Sequence, residues 1–298
     1  MTEPHMGGTY AQQLDAARWA EAEGLVSFAR CDHYLSRGEP SPDATDAFAV
    51  LAGLARETVD IRLCVLVTPI TFRHPAVIAK NAATIDQMSG GRFDLGVGTG
   101  WMELEHDAFG IPFPEWAERW ARFEEALDYL DAAFGDGRGE HRGVYYSLDA
   151  DVRPKPTGIR LVIGGSGMRR TPSLAGTRAD EHNFFTCPPS EARVKIEAMR
   201  AAAAGRDVEA TVMGPALVGS TETAFRERLE VAAAKRGVTP EDLERRYADN
   251  GLLMGTPGRV AEGIAALEDA GVQRMYVQWL DLDDLDGMRE TVTVVRGG

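Results

Sequence analysis

Lysine is scarce in this chain. Lys80, Lys155, Lys195 and Lys235 are four of 32 basic residues, and the rest are arginine. With abundant Ala, Gly, Asp and Glu, this composition reflects a GC-rich genome and says little about chemistry. Acidic residues number 46, the formal net charge is −14, and no basic stripe occurs. That argues against a nucleic-acid groove. Cysteine is also sparse. Cys31, Cys64 and Cys187 share no metal-like spacing, and their odd number argues against a disulfide framework, so a reducing cytoplasm is expected. No apolar run approaches the roughly 18 residues of a membrane span. The opening MTEPHMGGTYAQQ lacks the basic-then-apolar pattern of a secretory signal. No Ser/Gly linker, low-complexity tract or short-period repeat divides the chain. HExxH, GxSxG and GxxxxGK[ST] do not occur, which argues against a zincin, a serine hydrolase and a P-loop enzyme. No GxGxxG opens the first βαβ unit, although GVGTGW (96–101) superficially suggests one.

What the chain does contain is alternation. At 298 residues and 44% hydrophobic it can bury a large core. Thr9 can cap a helix over 10–23 with Gly24 as its stop. Strand-like runs follow at 25–30, 61–67, 92–98, 160–165, 180–185, 210–219 and 274–280. Helical patterns at 46–58, 75–88, 117–134, 172–177, 191–204, 221–236, 240–249 and 257–270 lie between them, and a further helix closes the chain. Strands separated by helices imply right-handed βαβ units and a parallel sheet. A doubly wound open sheet and a (β/α)8 barrel both fit, and the length favours the barrel as one domain over 1–298. A barrel needs an eighth strand, and only MTEPH at the start could be its stub.

In either architecture chemistry belongs at the carboxyl ends of the strands. The segments there are Cys31-Asp32-His33-Tyr34, Thr68 to His74, Thr99 to Glu103, and Ser166 to Thr171. GGSGMRR (164–170) can cradle a phosphate, because glycine backbone N–H groups and a helix N-terminus favour an anion and Arg169 or Arg170 adds donors. The plainer alternative is a glycine turn with two solvated arginines. His33 is the acid/base candidate, beside Asp32, which could orient its ring or hold a ligand hydroxyl. His74, before Pro75, reads as structural, and His106 and His141 read as solvated. Cys31 reads as structural, since nothing in the sequence lowers its pKa. No metal site is expected.

The run HPAVIAKNAATIDQMSGGRFDLGVGTGWMELEHDAFGIPFPEWAERWARFEEAL (74–127) resembles the central signature of the luciferase-like monooxygenase superfamily of flavin and deazaflavin enzymes. ARCDHYL before it and VIGGSGMRRTPSLAGTRADEHNF after it are similar to further blocks in the same order, and MGTPGRVAEGIAALEDAGVQRMYVQ resembles the last helix–strand unit. This resemblance implies a (β/α)8 TIM barrel with an insertion after strand 4, a homodimer, and a cofactor across the strand ends. The first strand is apparently truncated, so further residues before Met1 are expected. Asp32-His33-Tyr34 resembles the form frequent in the coenzyme F420 branch, whereas the FMN branch typically carries Glu-His-His.

The resemblance therefore implies hydride transfer between F420 and a small organic substrate, with His33 as proton donor or acceptor and Asp32 near the ring. Thr68 would lie at a bulge, sometimes with a non-prolyl cis peptide, behind the ring. Thr99 and Gly100 would contact the ring or its ribityl chain. Gly164, Gly165, Ser166, Gly167, Met168 and Arg169 would hold the phosphate end, and Trp101 and Glu103 would face the substrate. The alternatives are an FMN-dependent monooxygenase fed by a separate reductase, and a non-catalytic flavin- or deazaflavin-binding protein.

Overall fold

The computed structural model describes residues 1–36 and 43–297. It divides into two compact units, Thr2–Gly164 and Gly165–Gly298 with Met1.

In the unit Thr2–Gly164, α1 (Tyr10–Ala22) starts at Thr9 through a capping box. Gln12 N–H donates to the Thr9 hydroxyl, and Thr9 N–H donates to the Gln12 side chain. The chain then enters β1 (Ser27–Arg30), and Asp46 caps α2 (Ala47–Glu57) by accepting from Ala49 N–H. The apolar run that follows is β2 (Arg62–Pro69). His74 accepts from Ala76 N–H and so caps α3 (Pro75–Ser89), the structural role expected of it. Gly90, at φ +70°, stops that helix before β3 (Phe93–Gly98).

A short helix α4 (Glu103–Phe109) and the long α5 (Trp116–Phe134) follow. Next come a hairpin of β4 (Gly139–Arg142) and β5 (Ser147–Ala150), then β6 (Arg160–Gly164). Strands β1, β2, β3 and β6 pair in parallel in that order. Thr2 forms a parallel bridge with Arg30. It donates to Ala29 O at 2.9 Å and accepts from Cys31 N–H at 3.2 Å. This is the stub expected at the chain start.

Sequence periodicity missed α4 and the hairpin. The hairpin turn is held from a distance, because Glu125 on α5 accepts the N–H groups of Val144, Tyr145 and Tyr146 at 2.6–3.0 Å. Such a support leaves no local signal.

The register of β2 on β3 shifts between Val65 and Thr68, and the Leu66–Val67 peptide is cis. Here β3 needs glycine. A Cβ on Gly96 would lie 2.1 Å from Val65 O, and one on Gly98 would lie 3.0 Å from a Val67 methyl. Gly96→Ala is expected to destabilise the fold by about 1–3 kcal/mol, the usual cost of overpacking. A thermal melt matching the parent would contradict this account.

In the second unit, α6 (Arg170–Arg178), β7 (Glu181–Phe185), α7 (Pro189–Ala203) and β8 (Glu209–Pro215) are followed by the short β9 (Leu217–Val218). Then come α8 (Glu222–Arg236), α9 (Pro240–Asp249), β10 (Met254–Gly255), α10 (Pro257–Asp269), β11 (Arg274–Gln278) and α11 (Leu285–Arg296). Strands β7, β8 and β11 pair in parallel, and β9 pairs with β10. The single strand expected over 210–219 is therefore two, separated at Ala216. Polar contacts hold β7: buried Glu181 accepts from Thr211 and pairs with Arg274. The Met1 ammonium donates to Val277 O, and Trp279 N–H donates to Met1 O, each at 2.8 Å. Among the described residues no helix is long and apolar enough to cross a membrane.

Candidate functional site

The segment after β1 and the start of α4 bring together a histidine and a buried carboxylate. His33 Nδ1 lies 3.0 and 3.1 Å from the two oxygens of Glu105. Glu105 also accepts from Tyr34 N–H at 2.9 Å and Leu35 N–H at 3.1 Å. The Glu105 side chain is 1% exposed and that of His33 is 18% exposed. Burial pulls the His33 imidazole down, but the hydrogen bond and charge of Glu105, helped by Glu3 and Asp32, leave it above its ordinary value. Burial raises the Glu105 carboxyl, yet His33 and the two backbone donors leave it below the usual range.

This pairing holds the ring through Nδ1 and leaves Nε2 outside the pair. The Trp101 ring meets the His33 ring edge-on at 5.5 Å and is itself well exposed. Glu103, two residues before Glu105, is exposed.

Asp32 does not orient His33. Its carboxylate is engaged by Arg73, which also donates to Thr68 at 3.2 Å, Tyr34 at 2.6 Å and Asp46 at 2.7 Å. Asp32 is 1% exposed and Thr68 is buried. The Arg73 guanidinium is desolvated, but Asp32 and its other anionic neighbours push its pKa up overall. Tyr34, stacked on Phe72 at 4.7 Å, is pushed up to about 12, chiefly by burial. Arg73, Tyr34 and Asp46 were not legible as a set, because nothing in their spacing links them.

His106 is a correction, because it is 1% exposed rather than solvated. Nδ1 donates to Met102 O at 2.8 Å, so Nε2 accepts from the Thr71 hydroxyl at 2.7 Å. His141 is likewise mostly covered, with Nε2 3.6 Å from Glu125. Periodicity could have found Glu105 and His106. Met102, Glu105 and His106 stand at i, i+3 and i+4 and form the buried face of α4, while Glu103, Leu104 and Asp107 face out. Gly100, at φ +81°, lies where a Cβ would come 2.8 Å from the Thr71 hydroxyl, and Thr99 beside it is half-buried. Cys31 is buried, and burial pushes its thiol well up.

Gly164 ends β6 against Val67, with a hypothetical Cβ 2.6 Å from a Val67 methyl. Its missing side chain thus makes room for protein. In the second unit, Gly165 has φ +149° and donates to Asn183 O at 3.0 Å. The Ser166 hydroxyl accepts from Phe185 N–H at 3.3 Å, so its own hydrogen can still be donated. Ser166, Gly167, Met168, Arg169 and Arg170 are exposed, and Arg169 takes the N-cap position of α6. Backbone donors, a hydroxyl, a guanidinium and a helix N-terminus on one exposed turn suit an anionic group.

The family described as luciferase-like monooxygenase matches residues 1–274. Pyrimidine monooxygenase RutA of Klebsiella pneumoniae is 31% identical over 193 residues, covering 62% of this chain and 53% of that protein. The F420-dependent glucose-6-phosphate dehydrogenase of Kineococcus radiotolerans is 36% identical over 167 residues, covering 54% and 49%. The chain thus spans about half the length of these curated relatives.

Among solved structures, an F420-dependent secondary alcohol dehydrogenase in complex with an F420-acetone adduct superposes with a TM-score of 0.79 at 21% identity. That match covers 97% of this chain and 96% of the other. The oxygenating constituent of 3,6-diketocamphane monooxygenase from Pseudomonas putida, in complex with FMN, gives 0.76 at 19% identity over 96% and 91%. These likenesses show the fold, which is the luciferase-like barrel class expected from the sequence.

Proposed function

We propose that this chain, which belongs to the luciferase-like monooxygenase family, is a coenzyme F420-dependent oxidoreductase that exchanges hydride with a small organic substrate. The observation that carries this reading is the His33–Glu105 pair, a histidine with one nitrogen fixed by a buried carboxylate at a strand end. Support for the deazaflavin comes from the 36% identity to an F420-dependent dehydrogenase.

F420 supplies a ring carbon that takes or gives hydride. The chain supplies the rest. His33 Nε2 holds or moves the proton that accompanies hydride transfer, and Glu105 keeps the ring in place. Asp32, tied to Arg73, positions the segment that carries His33. Thr68, Thr99 and Gly100 lie on the ring side, and Trp101 and Glu103 face the substrate. The turn Gly165–Arg169, exposed from Ser166 onward, holds the phosphate end. The protein carries a net charge of −14, so attraction for a polyanion is local, through backbone dipoles and arginine.

The similarity to RutA favours a second reading, an FMN-dependent monooxygenase fed by a separate reductase. Titrating the purified apo-protein with F420 and with FMN, read by tryptophan fluorescence, distinguishes the two. Tight F420 and weak FMN binding supports hydride transfer; the reverse order overturns it. Arg169→Ala is expected to weaken F420 binding about tenfold or more, with the larger effect at low salt. Unchanged affinity at low salt would remove Arg169 from the phosphate site.

A further inference from the structure

We propose that Glu3, His5 and Cys31 form a binding site for one zinc-like divalent cation, set behind the His33 ring. One donor atom from each residue lies within 4.8 Å of the others. His5 Nδ1 is 3.3 Å from Cys31 Sγ and 3.3 Å from Glu3 Oε2. Zinc holds thiolate sulfur at about 2.3 Å and imidazole nitrogen or carboxylate oxygen at about 2.0–2.2 Å. Tetrahedral angles then set the nitrogen about 3.5 Å from sulfur and about 3.3 Å from oxygen. The two separations are close to those edges, and the third, from Cys31 Sγ to the Glu3 carboxylate, lies within 4.8 Å.

The donors are held before any ion arrives. Thr2 pairs with Ala29 and Cys31, which fixes the start of the chain beside the end of β1. Glu3 and His5 then project from one tight turn, in which Met6 N–H donates to Glu3 O at 3.0 Å and Gly7 N–H to Pro4 O at 3.0 Å. Exposure is 4% for Glu3, 9% for His5 and 3% for Cys31, so little water competes. A thiolate with an imidazole selects zinc over magnesium or calcium. Thiolate and carboxylate charges balance the dication, so the loaded site is neutral, as burial requires. Three protein ligands leave a fourth position open. The His33 ring lies 4.9 Å from the His5 ring, which places the ion beside the proposed proton-transfer residue.

Cobalt(II) titration of the full chain, stripped with a chelator, tests the proposal. The expected result is a thiolate-to-cobalt charge-transfer band with tetrahedral d–d bands, saturating at one ion per chain and displaced by zinc. A Cys64→Ala, Cys187→Ala double variant retains only Cys31 as a thiol and should keep the band. Cys31→Ser should lose it, and His5→Gln should weaken binding at least about tenfold. No stoichiometric band in the parent, loss of the band in the double variant, or its survival in Cys31→Ser overturns the assignment. If Cys31→Ser fails to fold, the parent and the double variant decide alone.

Discussion

His33→Ala is expected to lower kcat by about 10²–10⁴-fold, the range for removing a positioned general acid or base. F420 affinity should change little, because the phosphate end is assigned to the turn at Gly165–Arg169. Steady-state turnover with F420 and its reduced form, alongside fluorescence binding, gives both quantities. Unchanged turnover would remove His33 from the chemistry.

Glu105→Gln tests the positioning role by a different route. Glutamine keeps an acceptor for Nδ1 but removes the charge, and its amide does not reproduce all the acceptor bonds to Tyr34 and Leu35. It should lower kcat about tenfold while leaving KM near the parent value. Residues that act as one unit are not additive, so the double variant should be no slower than His33→Ala alone. A double variant slower by the product of the two effects would mean Glu105 works independently of His33.

The second large effect is on stability. Arg30 is 0% exposed, and its guanidinium donates to Cys31 O at 2.8 Å, Thr45 O at 2.9 Å, Asp46 O at 3.1 Å and the Thr45 hydroxyl at 3.2 Å. Methionine fills a similar volume but donates nothing. Arg30→Met should leave carbonyl acceptors without partners and cost about 3–5 kcal/mol. That corresponds to a fall in Tm on the order of 10 °C. The segment after β1, which bears His33, would loosen with it, so cofactor binding should weaken too. A melt within about 2 °C of the parent would show that the arginine is dispensable.

Much of the fold was legible because each signal was local. Thr9 with Gln12, Pro75 after His74, and Gly90 at a left-handed turn mark helix ends by chemistry that adjacent residues complete. The run 61–67 reads as a buried strand because it is apolar and β-branched. Elements stabilised from far away were not legible. The β4–β5 turn depends on Glu125.

The candidate site divides the same way. His33 and the glycine-rich turn were found at strand ends. Glu105 was missed because the segment after Trp101 read as loop, which drew attention to the exposed Glu103. Asp32 was read beside His33 in sequence, but its carboxylate pairs with Arg73 instead.

Val67 ties distant parts of the chain into one inheritance unit. Its methyls occupy the space over Gly96, Gly98 and Gly164, which lie on two strands far apart in sequence. None of the three glycines can acquire a side chain by a single step without meeting that valine or its neighbouring carbonyl. Divergence at these positions therefore has an order: residue 67 must shrink before residue 164 can grow. In an alignment of relatives, bulk at 67 and bulk at 164 should be mutually exclusive.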